Sequence, residues 1–485
     1  MDDHYMSTIA YNKKHMPALL LIACGLFTFF WTAVMLRMDN PIKSLVIPAS
    51  VLFIILSFIS FQNSLIFMII FSVLGADFGF DIVGLPKLYW VELMLIFTSG
   101  YLVIEKLRSK DYFLAQSVVN RPIFFLLGWA IISIIGSHII GTTSSKDLVP
   151  QIDNLLLWSF EFLAFFIIST GVREERVIKK CLYFTIISSV PYLVFYFLKL
   201  VFIGRLSFDY ENRVFSSFLG VFSGAYLMFI FILVLNHILY IKKYRFAMII
   251  LLVCLLFAMV ETFWITSLIA TTAASLMSIF FKSRKLAIGF FLGVIILFVY
   301  FAGNGKINIT SYLEDSSNTI REIDDSSLIY GRLARVVVLK DAIRIVKEHF
   351  FFGVGMDLYS NYTDIMYLDR NIDEIRPMTS AHNEYAQVMV NVGVLGLPLL
   401  LWILYAAFKE AKFCIKNTMG TFEKYIGRAL FNILIGVIVY SFSFQIILNT
   451  FGDGYFRSIS ASIYFWILLG LVVAYNNIIK QENGH

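Results

Sequence analysis

The chain has 485 residues, of which 59% are hydrophobic and only 15% are charged, and its mean hydropathy is +0.79. So few polar residues cannot cover the surface of a soluble globule of this size, which excludes a soluble protein. We predict an all-α, polytopic membrane protein. The formal net charge is +6, and we expect no nucleic-acid partner.

Apolar segments long enough to cross the hydrocarbon layer recur along the whole chain. At about 20 residues per crossing, they predict about fourteen transmembrane helices. These lie near residues 17–36, 44–61, 64–80, 89–105, 121–140, 153–171, 181–203, 215–240, 246–261, 264–281, 286–302, 384–406, 429–447 and 458–476. No cleavage site follows the first segment at the right distance, so we interpret it as a retained helix.

Lysine and arginine accumulate in loops on one side of this prediction. They lie at residues 106–110, 173–180, 242–245, 282–285 and 409–428, and Lys13 and Lys14 join them. Because such residues favour the cytoplasmic side of short loops, we expect both termini in the cytoplasm. One large loop between spans 11 and 12 is then external, that is, periplasmic.

The predicted topology divides the chain into three parts. They are a transmembrane bundle of about eleven spans (1–302), an external loop (303–383) and the C-terminal transmembrane helices (384–485). Residues 246–281 form either two helices joined at Glu261–Thr262 or one broken helix. The alternation of basic loops favours two.

Apolar residues recur with a helical period in the second half of the external loop, which predicts a basic amphipathic helix. Its apolar residues are Leu333, Val336, Val337, Ile343 and Val346. Its basic residues are Arg332, Arg335, Lys340, Arg344 and Lys347. The pattern ends at Gly353-Val354-Gly355, where glycine permits a turn or a close approach to a ligand.

The stretch SAHNEYAQVMVNVGVLGL, residues 380–397, places a histidine and an asparagine where the loop enters a membrane helix. An imidazole at this boundary meets aqueous substrate on one side, so His382 is a candidate for proton transfer or anion binding. The alternative is an ordinary helix start. In that interpretation Ser380 or Asn383 caps the helix and Glu384 favours its positive end.

Two sets of arginines are candidates for binding an anion. Arg205 and Arg213 lie in a predicted external loop, where the charge bias does not explain them. Arg332 and Arg335 lead the loop helix. For Arg344 and Lys347 we expect a solvated face or attraction to lipid headgroups.

These residues together predict a site for a pyrophosphate group. An arginine fork binds phosphate oxygens bidentately and offsets the charge of a departing phosphate. A nearby histidine can take the proton from an attacking sugar hydroxyl. The loop shows no metal-ligand spacing, so we expect neither a metal nor a cofactor.

Two motifs in this region resemble the shared module of the bacterial O-antigen polymerase and O-antigen ligase family. They are FFFGVG at 350–355 and HNEYAQVMVNVGVLGL at 382–397. The family pattern is an arginine before a helix, an apolar G-x-G, a variable loop, and H-N before a helix with G-x-x-G-L. The resemblance implies a GT-C-like membrane glycosyltransferase. Such enzymes act on undecaprenyl-diphosphate-linked glycans at the outer face of the inner membrane.

The resemblance also implies roles for particular residues. His382 takes the place of the family's loop histidine, and Arg213, in RVFSSFLG, resembles the arginine that opens a helix after an external loop. The arginine before the loop helix is Arg335 by spacing and Arg332 by its Gly-Arg dipeptide. Where relatives often have Ser-Arg, this chain has Thr266-Ser267.

We therefore expect His382, Arg335 and Arg213 to be catalytic. The expected substrate-binding residues are Arg332, Arg205, Asn383, Gly353 and Gly355.

The expected activity is polymerisation of O-antigen or similar repeat units. The alternative is ligation of the glycan to lipid A-core, and a flippase for lipid-linked sugars is the third interpretation. The expected partners are the undecaprenyl-diphosphate-linked glycan, membrane lipid and a chain-length regulator protein.

Overall fold

The computed structural model describes residues 60–74, 79–80, 88–109, 114–190, 193–194, 197, 223–261, 265–303, 320–323, 326–329, 334–369, 374–417, 420–443, 446–448 and 462–482. This part of the chain is mostly helical. The predicted spans near 17–36 and 44–61 lie almost wholly outside it.

The first half of the described chain contains nine helices. They are α1 (Phe61–Leu74), α2 (Trp90–Ser109), α3 (Asn120–Ile139), α4 (Leu148–Gly171), α5 (Glu175–Ile187), α6 (Ser223–Tyr240), α7 (Arg245–Glu261), α8 (Ile265–Lys282) and α9 (Arg284–Gly303). Residues 246–281 thus form two helices. A short ribbon, β1 (Gly79–Phe80) paired with β2 (Leu88–Tyr89), lies between α1 and α2.

Five further helices follow in the described residues. They are α10 (Ala334–Glu348), α11 (Glu384–Val392), α12 (Gly396–Lys416), α13 (Thr421–Ser441) and α14 (Ser462–Glu482). In the described part, three helices are long and apolar enough to cross a membrane: α3, the segment Ser145–Gly171 and α14. Shorter apolar helices occupy Gly224–Tyr240, Arg245–Met259 and Thr266–Lys282. The number of crossings stays a prediction.

The prediction of one helix over residues 384–406 is wrong. The chain instead forms the short α11 and then α12, because Gly393 adopts a left-handed conformation with φ of +79°. A Cβ at this position would overlap the carbonyl of Phe351. Only glycine permits this close approach of two backbones, and the approach ends α11.

A four-stranded sheet, which the sequence did not predict, forms within the loop. Its strands are β3 (Ile320–Ile323), β4 (Ser326–Ile329), β5 (Ile365–Asp369) and β6 (Glu374–Pro377), in that order. β4 and β5 pair in parallel, with Leu328 opposite Met366. Parallel neighbours need a crossover connection, and α10 with the glycine turn supplies it.

Only part of the predicted apolar stripe of α10 is buried. Val346 enters the loop core together with Val338, Ala342 and Ile345, and these residues join Val354, Tyr359, Ala386 and Val390. Val337 packs against this core, whereas Val336 and Ile343 are exposed. Apolar residues lie on both sides of this helix, so periodicity alone cannot select the face that packs.

Arg344 is part of the loop's own structure, which corrects the expectation of a solvated charge. Its guanidinium lies 2.7 Å from the Asp341 carboxylate and 3.0 Å from the carboxylates of Glu348 and Asp364. It also donates a hydrogen bond of 2.9 Å to the Tyr362 carbonyl. These contacts connect α10 to the segment that leads into β5.

Below the loop, α14 packs along α4. The rings of Trp466 and Phe162 meet edge to face at 4.8 Å. The indole of Trp466 donates to the Ile447 carbonyl at 2.9 Å. The segment 446–448, which follows α13, is therefore held against the helical core beneath the start of α11.

Candidate active site

The candidate site lies where the first residues of α8, α10 and α11 approach the last turn of α13. His382 lies two residues before the first residue of α11 and is partly buried. Its backbone has φ of +47°, a left-handed conformation that is uncommon for a residue other than glycine. Such a conformation costs about 1–3 kcal/mol and persists only where the surroundings impose it.

The residues on both sides of His382 impose this conformation. The Ala381 amide donates to Oε1 of Gln387 at 2.7 Å. On the other side, Asn383 caps α11 by accepting a hydrogen bond from the Ala386 amide at 3.0 Å. Of the two predicted capping residues, Ser380 and Asn383, it is therefore Asn383 that caps α11.

Asn383 has a second contact that ordinary capping does not require. Its Nδ2 donates to the Phe442 carbonyl at 3.0 Å, just past the end of α13. In the first turn of α11, the Tyr385 hydroxyl donates to the Ile438 carbonyl at 3.1 Å. These bonds fix the start of α11, and with it His382, against the C-terminal end of α13.

Glu384 strengthens the same junction. Its buried carboxylate accepts hydrogen bonds from the Ser441 hydroxyl at 2.6 Å and from the amides of Ile446, Ile447 and Leu448 at 3.2, 2.9 and 2.7 Å. Sequence reasoning assigned Glu384 only to the helix dipole. The overlooked signal was a carboxylate at the start of an otherwise apolar segment, which indicates a buried hydrogen-bond acceptor.

Arg335 approaches the site from the first turn of α10. Its Nη1 donates to the Thr266 hydroxyl of α8 at 3.2 Å. Sequence reasoning considered Thr266 only as a departure from the family pattern.

The surroundings of His382 determine its protonation. Burial, and secondly the positive charge of Arg335, lower the pKa of His382 to about 4. The imidazole is therefore neutral near pH 7 and can accept a proton. An anion bound to Arg335 would offset the second cause and raise this pKa.

The two glycines of the G-x-G motif have packing partners. Gly353 has φ of +67°, and its α-carbon lies against the backbone of Val390 and Gly393. Gly355 has φ of +102° and lies against the buried side chain of Gln151 in α4. These contacts explain why the motif needs glycine, and contact with substrate stays a prediction.

Three of the predicted arginines, Arg205, Arg213 and Arg332, lie outside the described residues. The structure thus brings together Arg335, His382 and Asn383 from the predicted set. Among the side chains that the structure describes, no group of three or more His, Cys, Asp or Glu residues could hold a metal ion.

Comparison with known protein families gives a match over the candidate site. The family model described as O-antigen ligase matches residues 246–401, from α7 into α12. No curated protein matches the chain. The matched region contains the loop, Arg335, the glycine turn, His382 and Asn383. Over these residues the chain is similar to the O-antigen ligase family, which confirms the resemblance found in the motifs.

Proposed function

We propose that this protein polymerises lipid-linked oligosaccharide repeat units at the outer face of the inner membrane. The donor is a growing glycan on undecaprenyl diphosphate, and the acceptor is the terminal sugar of another lipid-linked unit. The observation that carries this proposal is the position of His382, fixed at the start of α11 by Asn383 and close enough to Arg335 for the guanidinium charge to act on its imidazole. The pair provides a proton acceptor and a phosphate-binding group in one place.

In the proposed reaction, an acceptor hydroxyl attacks the anomeric carbon of the donor glycan. A new bond forms between this carbon and the acceptor oxygen, while the bond from the carbon to the diphosphate oxygen breaks. The hydroxyl proton passes to the imidazole of His382. Undecaprenyl diphosphate leaves with the bonding electron pair, and Arg335 and Arg213 offset its charge.

Asn383 holds His382 in place in this scheme, and Arg332 and Arg205 supply further positive charge to the diphosphate. Gly353 and Gly355 shape the turn that borders the substrate. The reaction needs no metal and no cofactor, because arginine provides the charge that a cation would otherwise supply.

Ligation of the glycan to lipid A-core is the second candidate function. The matching family model carries the description of a ligase, which favours it. Both reactions use the same donor and the same departing group, so the arrangement of His382 and Arg335 serves either one. The acceptor distinguishes them.

The surface glycan of a deletion strain tests the two functions against each other. Loss of a polymerase leaves the lipid A-core capped with a single repeat unit. Loss of a ligase leaves bare core and an accumulated lipid-linked polymer. Complementation with His382→Ala should reproduce the deletion profile at a normal protein level, and Asn383→Ala should have a milder effect. A normal glycan profile with His382→Ala would remove the proposed role of the histidine.

A further inference from the structure

The helix α10 contacts two different membrane helices at its two ends. At its start, Arg335 donates to Thr266, the second residue of α8. Just past its end, the Phe352 ring stacks on Trp129 of α3 at 5.9 Å and lies directly over Gly136. The Ser133 hydroxyl donates to the Phe352 carbonyl at 2.5 Å.

These contacts fix the direction of the α10 axis. Thr266 lies at the start of α8, and the residues that contact Phe352 lie in the second half of α3, from Trp129 to Gly136. The charge distribution places both of these helix ends on the outer side of the membrane. The helix α10, about 22 Å long at about 1.5 Å per residue, therefore leads from the membrane surface towards the outer half of α3.

The face of α10 that points away from the loop core mixes apolar and basic residues. Its members follow a helical spacing: Val336, Lys340, Ile343 and Lys347. Val336 is 51% exposed and Ile343 is 43% exposed. Directly after the helix, Phe350 and Phe351 are 47% and 66% exposed. We call these six residues the outer face.

The charges near the outer face differ in their partners. Arg344 is neutralised by Asp341, Glu348 and Asp364. Lys340 and Lys347 are exposed, and neither forms an ion pair within the described part of the chain. Between them lies an open groove of about 370 Å³, lined by Lys340, Ile343, Arg344, Lys347 and Glu348.

We propose that the outer face of α10 docks into the headgroup region of the outer leaflet. Val336, Ile343, Phe350 and Phe351 insert beside the upper acyl chains, and Lys340 and Lys347 bind the phosphates of anionic phospholipids. Apolar residues alternating with lysine suit this boundary, because the lysine stem stays in an apolar layer while its ammonium reaches the phosphates.

The docking has a consequence for the candidate site. Since Arg335 lies in the first turn of the same helix, docking holds its guanidinium at the depth of the lipid phosphates. The proposal does not depend on glycosyl transfer, and it can be tested without any substrate.

The test uses the full-length protein without its four cysteines, reconstituted in phosphatidylcholine vesicles with and without phosphatidylglycerol. Single cysteines replace Ile343 and Phe351 and carry a spin label. Ile132, exposed in the middle of α3, is the lipid control, and Ser145, exposed in the external connection after α3, is the water control. At each position, the rate at which the spin label collides with oxygen and with a water-soluble nickel chelate is measured.

We expect the labels at 343 and 351 to collide preferentially with oxygen, as at Ile132, when phosphatidylglycerol is present. If the labels at 343 and 351 collide with the nickel chelate as often as the label at Ser145 does, the proposal is overturned. Protection from both reagents would overturn it too, because it would indicate coverage by protein.

A second comparison tests the lysines. In Lys340→Gln/Lys347→Gln, the label at 343 should lose the effect of phosphatidylglycerol, whereas in the control Lys146→Gln the effect should remain. Both variants keep the exposed surface polar, and a monodisperse elution profile checks that they fold. If the label at 343 inserts only after a polyprenyl diphosphate is added, the docking to bulk phospholipid is wrong.

Discussion

At the scale of single residues, the environment of His382 determines how the proposed base works. Burial and Arg335 lower its pKa to about 4, so the imidazole in the free enzyme is neutral over the physiological range. A bound diphosphate brings negative charge to Arg335 and favours the protonated imidazole. The same histidine is then a stronger base when the donor is bound than when the site is empty.

This difference predicts two pH profiles. The value of kcat/KM reports the free enzyme and should stay constant as the pH falls, until it declines near the free pKa of about 4. The value of kcat reports the complex, and its decline on the acidic side should occur at a higher pH. Both are measured by transfer from a synthetic polyprenyl-diphosphate oligosaccharide. If the two declines coincide, the diphosphate does not act on His382.

The hydrogen bond between Arg335 and Thr266 predicts that substitutions of the two residues have non-additive effects on kcat. Arg335→Lys keeps the charge but loses the fork, so kcat should fall by about two orders of magnitude. Thr266→Val removes one hydrogen bond and should cost about 1 kcal/mol, or about fivefold in rate. In the double variant the loss should equal that of Arg335→Lys alone. Additive losses would show that Thr266 acts independently of Arg335.

Arg344→Lys is the matched control on the same helix. Because Arg344 contacts Asp341, Glu348 and Asp364 and lies away from His382, its loss should lower thermal stability and leave kcat unchanged. A fall in kcat without a change in stability would place Arg344 in the site.

At the scale of elements, the break between α11 and α12 positions the histidine. Gly353 and Gly393 approach each other through their backbones, and the Val354 amide donates to the Val390 carbonyl at 2.8 Å. On the other side of the break, the Val394 amide donates to the Phe350 carbonyl at 2.9 Å. The glycine turn of the loop thus occupies the corner where the helix ends. It keeps α11 at the membrane boundary.

The break predicts a large effect for a small substitution. Gly393→Ala places a Cβ on the Phe351 carbonyl at a left-handed position, so the free energy of unfolding should fall by about 2–4 kcal/mol. Gly289→Ala, in the open middle of α9, should instead be neutral or raise stability by up to about 1 kcal/mol. Thermal unfolding in detergent measures both. Equal stability of the two variants would contradict the packing role of Gly393.

At the scale of the whole molecule, the proposed function requires the loop to lie on the outer side. The candidate residues and the family match belong to one segment, whereas the basic loops lie at the opposite ends of the helices. A multi-pass protein of the inner membrane with both termini in the cytoplasm fits this arrangement. The chain-length regulator that we expect as a partner would then meet the protein on the periplasmic side.

This topology predicts a labelling pattern. Ser207→Cys and Ser326→Cys should react with an impermeant thiol reagent in intact spheroplasts, because both lie in predicted external loops. Ser283→Cys, partly exposed between α8 and α9, should react only after lysis. Labelling of Ser326→Cys without Ser207→Cys would mean that a crossing between them has been miscounted.

The sequence by itself determined the membrane class, the approximate position of the described helices and the motifs that match the family. These depend on composition, on local hydrophobicity and on short spacings between residues, all of which can be read directly from the sequence. His382 and Asn383 were found because a polar pair at the edge of an apolar segment is a local signal. The need for glycine at 353 was found for the same reason.

The tertiary structure decided the rest. The proximity of Arg335 to His382, the four donors around Glu384 and the network of Arg344 join residues that are far apart in sequence. The end of α11 depends on a backbone contact with Phe351, and the buried face of α10 depends on what packs against it. Both faces of α10 contain apolar residues, so the periodicity of the sequence fits either face as the buried one. Only the residues that pack against the helix distinguish the core face from the surface face.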